Sequence, residues 1–168
     1  MVSEAISLTL FPAVMAFAAA SDLLTMTIAN RVSLLLVAGF ALVAAASGVG
    51  TAEVLSHIGA AASVLAVTFI LFACGWIGGG DAKLAAATAL WLGFGQLLNY
   101  LVYASLIGGA LTVVIIQFRQ FPLPRFLLGR EWAERLHQRD GGVPYGIALA
   151  AAALLVYPQT EWMRAVGL

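Results

Sequence analysis

A chain of 168 residues that is 62% hydrophobic and 10% charged, with a mean hydropathy of +1.01, is too apolar for a soluble domain, where about a quarter of residues are charged. Eight basic and eight acidic residues cancel, which excludes the global basic field that nucleic-acid binding uses. The single cysteine, Cys74, excludes an internal disulfide or a cysteine-rich zinc site.

The composition reads as an all-α, polytopic integral membrane protein with one domain covering residues 1–168. Val2 to Ser21 is the first membrane-length apolar run. Its Ala18-Ala19-Ala20 end imitates a signal-peptide cleavage site, but Glu4 and the lack of Lys or Arg before it argue for a retained span. Asp22 follows, then a short loop to Arg31. Val32 to Gly50 and Val54 to Ile77 are the second and third spans, and Cys74 is expected to be a buried packing residue within the latter. Gly78-Gly79-Gly80-Asp81-Ala82-Lys83 comes next.

Leu84 to Ile116 is too long for one span and is interrupted by Gly93-Phe94-Gly95-Gln96, so it divides into helices at about 84–95 and 97–117. Residues 119–142 form the one sizeable polar loop. Leu128, Trp132 and Leu136 recur there every four residues among charges, the pattern of an amphipathic interfacial helix. Val143 to Trp162 supplies the last of about six spans. With that count Arg31, Lys83 and the five loop arginines (Arg119, Arg125, Arg130, Arg135, Arg139) share one side and Arg164 takes the other. The basic side is cytoplasmic by the positive-inside rule. Both termini are then extracytoplasmic, and Asp22 and Asp81 face the cytoplasm together.

Ionisable groups beside membrane-length segments are costly and are functional candidates. Two carboxyls held close cannot both ionise easily, so one stays protonated while the other acts as a base, as in aspartyl-pair peptide hydrolysis. The alternative is that each aspartate only marks a helix end at the headgroups. Gly78 to Gly80 end the third helix, and their freedom of backbone and lack of side chain let a neighbour or a substrate strand approach Asp81. Lys83, two positions on, lies on the opposite helix face and is expected at the interface or against another helix.

Gly78-Gly79-Gly80-Asp81-Ala82-Lys83-Leu84 resembles the GxGD motif of the type IV prepilin leader peptidases, which are membrane aspartic proteases. Asp22-Leu23-Leu24-Thr25-Met26-Thr27-Ile28-Ala29-Asn30-Arg31 is similar to that family's first aspartate motif, with Ala29 where proline is usual. Val143-Pro144-Tyr145-Gly146-Ile147-Ala148 resembles the opening of the last helix in the small Flp/Tad-type branch, the CpaA/TadV-like enzymes. The resemblance implies a bacterial inner-membrane enzyme that cuts the leader from a prepilin or pseudopilin with a hydrophobic helix, and that works beside the pilus assembly machinery. Asp22 and Asp81 would be catalytic, Gly78, Gly79 and Gly80 would line the approach, and Lys83 and Asn30 would support the site. No metal and no cofactor is implied. The cysteine-rich insertion of the larger methylating members is not seen, so N-methylation is not expected.

Two rivals stay open: a small proton-coupled carrier and a non-catalytic pilus assembly subunit. A carrier would need polar groups through the membrane, for which His57, Thr68, Thr88 and Asn99 are the candidates. His57 is expected to be interfacial or capping, and His137 to be solvated surface. Trp76, Trp91, Trp132 and Trp162 are spaced as interfacial anchors, and Gly108-Gly109 would let helices pack closely.

Overall fold

The computed structural model of the chain describes residues 2–164, with side chains described from 8 to 163. The side chains of Glu4 and Arg164, on which the retained-span and orientation readings draw, lie outside the described residues. All regular structure among them is helical: α1 Val2–Thr25, α2 Asn30–Ser47, α3 Thr51–Ala73, α4 Gly79–Phe118, α5 Glu131–His137, α6 Tyr145–Val156 and α7 Glu161–Arg164. Segments of α1 to α4 are long and apolar enough to cross a membrane, and residues 145–159 form a shorter apolar helix. Leu34, Leu42, Leu55, Val67, Phe69, Leu98 and Leu106 point outward, each more than half exposed. That surface belongs in lipid, because soluble proteins do not expose contiguous apolar area on this scale.

The 84–95 and 97–117 helices are one assigned helix, α4, broken at Gly93, where φ 62° and ψ −179° are not helical. The two limbs run in opposite directions. At the break, His57 near the start of α3 donates Nδ1–H to the Leu90 carbonyl at 2.7 Å, a group left without its helical partner by the break. Beyond it, Arg119 at the end of the second limb bonds the Leu136 and Gly142 carbonyls at 2.8 and 2.7 Å. Arg135, next to Leu136 on α5, bonds the carbonyl of Leu24 at 2.8 Å. Gly80, at the start of α4, lies against Ile28 just past α1, so both ends of α4 return to the end of the bundle where α1 finishes. We call this the near end, and the end with Gly93 the far end.

Helix boundaries differ from the sequence expectation in ways that move the candidates. α1 runs four residues past Ser21, so Asp22 sits inside its last turn. The glycine run does not end the third helix; α3 stops at Ala73, and Gly78 caps α4 with Asp81 in its first turn. Pro158 cannot continue a helix, so the last span is α6 followed by a tight turn over 157–159 and the short α7.

The far-end core is aromatic. Phe11 stacks on Tyr157 with ring centroids 4.2 Å apart and tilts against Trp91 at 5.3 Å. Trp91 donates Nε1–H to the Leu36 carbonyl at 2.9 Å, and Trp162 donates to the Trp91 carbonyl at 2.8 Å. Trp91 and Trp162 are thus buried structural residues and not interfacial anchors; indole rings with a satisfied N–H bury favourably. Cys74 is exposed at the C-cap of α3, contrary to the packing role expected of it. His137 is not freely solvated: its ring packs edge-on against Phe118 at 5.2 Å, with Nδ1 buried. The amphipathic helix is only α5, which buries Ala133 and Leu136 while Leu128 precedes it and is exposed. Of the glycine pair, Gly108 alone makes a close approach, to the ring of Tyr145.

Candidate active site

Two side-chain contacts set the register between α1 and the first limb of α4, which are antiparallel. Phe11 meets Trp91, and one turn nearer the site Thr88 donates to the Met15 sulfur at 3.9 Å. Two further turns, seven positions, lead from Met15 to Asp22 and from Thr88 back to Asp81. The same seam therefore carries the two acids to one level at the near end. Ile28 bridges them there, packing on Gly80 beside Asp81 and on Gly146, whose amide binds Asp22. Asp22 is 5% exposed and Asp81 is half-buried, so the pair is open to its surroundings only on the Asp81 side.

Each carboxylate is held by a backbone amide at a helix start. Asp81, third residue of α4, accepts from the Gly78 N–H in the reciprocal half of a capping box, a placement the helix dipole favours. Asp22 is at the C-terminal end of its own helix, where a negative charge is disfavoured. Its compensation comes from another element: Gly146, in the first turn of α6, donates N–H to Asp22 Oδ2 at 2.7 Å. The carboxylate thus ties the end of α1 to the start of α6.

The loop after α1 closes the site. Met26, at φ 55°, donates N–H to the Asp22 carbonyl at 2.8 Å and turns the chain out of the helix. Ser21 Oγ and Thr25 Oγ1 both reach the Thr27 carbonyl, at 3.0 and 3.2 Å. Ile28 then enters between the acids' supports: a Cβ on Gly80 would lie 3.2 Å from Ile28 Cβ, and one on Gly146 would lie 2.7 Å from Ile28 Cδ1 and 2.8 Å from Asp22 Oδ2. Gly78, Gly79 and Gly80 are thus used for close approach, to Asp81, Phe72 and Ile28 in turn. None of the three has a positive φ, so the unusual backbone freedom expected of them is not used.

Asn30 and Lys83 also come together, Lys83 Nζ donating to Asn30 Oδ1 at 2.9 Å, but on the face of α4 turned from Asp81. The polar groups that a carrier would string together are bonded locally. His57 holds Leu90, Thr68 bonds the Val64 carbonyl at 2.8 Å, and Asn99 bonds Gln96 at 2.9 Å. Among the described residues, no three His, Cys, Asp or Glu side chains gather as a metal site would need.

Gly146 and Ile28 are the site residues that the sequence did not single out. The Pro144-Tyr145-Gly146 segment was visible as a helix opening, and Pro144 at a helix start is an ordinary signal. That its following amide would serve a carboxylate in the first helix carries no sequence mark, because every residue except proline has an N–H.

Residues 9–113, more than half of the chain, match the type IV leader peptidase family. No curated protein and no solved structure matches the chain.

Proposed function

Because the chain belongs to the type IV leader peptidase family, we propose that it is a membrane aspartic endopeptidase that removes the leader of a Flp-type prepilin, with Asp22 and Asp81 as the water-activating pair. The observation that carries this reading is the shared seam that levels the two acids, each oriented by a helix-start amide. A water held between the carboxyls loses a proton to the ionised one as its oxygen adds to the scissile carbonyl. The protonated one donates to the carbonyl oxygen, and collapse of the tetrahedral intermediate passes a proton to the leaving amine. Gly78 leaves room for the Asp81 carboxylate that it caps, and Gly80 for Ile28 of the loop beside the pair.

The near end is cytoplasmic in this reading, since Arg119, Arg135 and Lys83 lie there. Counting the limbs of α4 separately, α1, α2, α3, both limbs and α6 make six crossings of the bacterial inner membrane, with both termini extracytoplasmic. The proposal is confined to cleavage and does not extend to N-methylation.

Asp22→Asn and Asp81→Asn, produced at normal levels in membranes, test it against a co-expressed tagged prepilin. Each is expected to abolish processing, with a loss of at least about a hundredfold. Undiminished cleavage by either variant removes that residue from the mechanism, and by both removes the aspartic mechanism.

A further inference from the structure

α2 and α3 are joined at the far end and both pack on α4, yet they scarcely touch each other. Between them runs a furrow open to the side. Its near part, about 600 Å³, reaches from Asn30 and Lys83 to Leu90. Its far part, about 410 Å³, shares Val37, Ile58 and Leu90 with the first and ends at Val49 and Val54. Together they follow the whole of α2, whose 18 residues rise about 27 Å.

That length decides the occupant. The hydrocarbon core of a bilayer is about 30 Å thick, so a furrow of this length crosses both leaflets, whereas a lipid tail fills only one. A single transmembrane helix fills all of it. The walls suit one: Ala61 and Ala62 of α3 and Ala86 and Ala87 of α4 keep the floor shallow, and small residues let helix backbones approach.

One charge marks the near end. Lys83 holds only the neutral Asn30 and has no acidic partner among the described residues. A helix that enters with its N-terminus at that end brings the positive end of its dipole to an ammonium. An acidic residue in the first turns of such a helix offsets that repulsion and gives Lys83 a partner.

Resting on the peptidase reading above, we propose that the α2–α3 furrow is the docking slot for the substrate's transmembrane helix, with Lys83 pairing an acidic side chain near that helix's N-terminus. Lys83 and Asp81 occupy opposite faces of α4, so a chain leaving the slot crosses about one helix width, about 10 Å. About three extended residues cover it at roughly 3.3 Å each. The slot therefore sets the cleavage point a few residues before the docked helix.

A photo-cross-linking residue placed at Ala62, in the slot, or at Val67, on the outer face of α3, tests this with a tagged Flp-type prepilin as probe in the Asp81→Asn background. Uncleaved prepilin is expected to be captured from position 62 and not from 67. In the active protein Ala62→Trp is expected to slow cleavage about tenfold by overfilling the slot, with Val67→Trp within about twofold as the control for folding. Lys83→Glu is expected to slow cleavage and to be rescued when the prepilin's acidic residue is changed to Lys.

Capture of lipid alone from position 62, together with normal cleavage by Ala62→Trp, overturns the slot while leaving the peptidase reading intact. Capture of prepilin without charge-swap rescue overturns the role of Lys83. If the unmodified protein cuts no prepilin, the peptidase reading fails, and the slot with it.

Discussion

Gly146 stands 124 positions after Asp22 and donates its amide hydrogen to that carboxylate at 2.7 Å. The contact joins the end of α1 to the start of α6, and it requires glycine, because a Cβ there would meet both Asp22 Oδ2 and Ile28 Cδ1 at under 3 Å. Gly146→Ala must therefore displace the acid or the loop. Overpacking of this kind costs about 1–3 kcal/mol, and cleavage is expected to fall roughly 10- to 100-fold. Gly109→Ala, at a position with open space around it, is expected to change neither cleavage nor thermal stability in detergent by more than the small gain of removing a helical glycine.

The same bond separates chemistry from stability at Asp22. Asn keeps an oxygen to accept from Gly146 N–H, so Asp22→Asn is expected to lose activity while its thermal midpoint stays near that of the parent. Asp22→Leu leaves the Gly146 amide unpaired in a buried site. It is expected to lose activity and about 1–3 kcal/mol of stability as well. Equal melting of the Asn and Leu variants would show that the amide is satisfied some other way.

Ala29 stands where the resembled motif has proline. Its backbone, φ −66° and ψ 142°, is already the conformation proline fixes. Ser21, Thr25 and Met26 hold the loop to the helix end instead. Ala29→Pro is expected to preserve cleavage and to stabilise the protein by about 0.4–1 kcal/mol through the unfolded chain. Limited proteolysis across residues 26–30 together with the cleavage rate measures both effects.

Much of the architecture could be read from apolar run lengths, since a bilayer leaves few alternatives to helices of about twenty residues. The two acids stood out for the same reason, being charges beside apolar runs. Helix ends were less legible. Asp22 was placed outside α1 because hydropathy falls at Ser21, whereas the helix continues on the hydrogen bonds of its own backbone to Thr25. Trp91 and Trp162 were read as anchors because periodicity does not reveal which tryptophan has an acceptor waiting in the interior; carbonyls of Leu36 and Trp91 supply those. Cys74 failed for the opposite reason: α3 ends one residue before it, and Gly75 at φ 74° turns the chain away. The Gly146 amide and the α2–α3 furrow are tertiary relationships, and nothing in one sequence encodes either.

The reversal at Gly93 is the feature on which the near-end grouping of α4 depends. Its φ of 62° with ψ near 180° is a region essentially restricted to glycine, and a Cβ there would also lie 2.9 Å from the His57 ring. Gly93→Ala is expected to destabilise the protein by at least about 1–2 kcal/mol and to lower cleavage, because the second limb carries Gly108, the seat of Tyr145 at the start of α6. His57→Phe keeps a ring against Phe40 and Trp162 but removes the donor to Leu90, at an expected cost of about 1–3 kcal/mol. Since His57 lies at the far end, its loss is expected to lower thermal stability while the cleavage rate per folded molecule stays close to that of the parent. A His57→Phe protein that folds normally yet does not cleave would place His57 in the chemistry and undo the division of the molecule into a far structural end and a near reactive one.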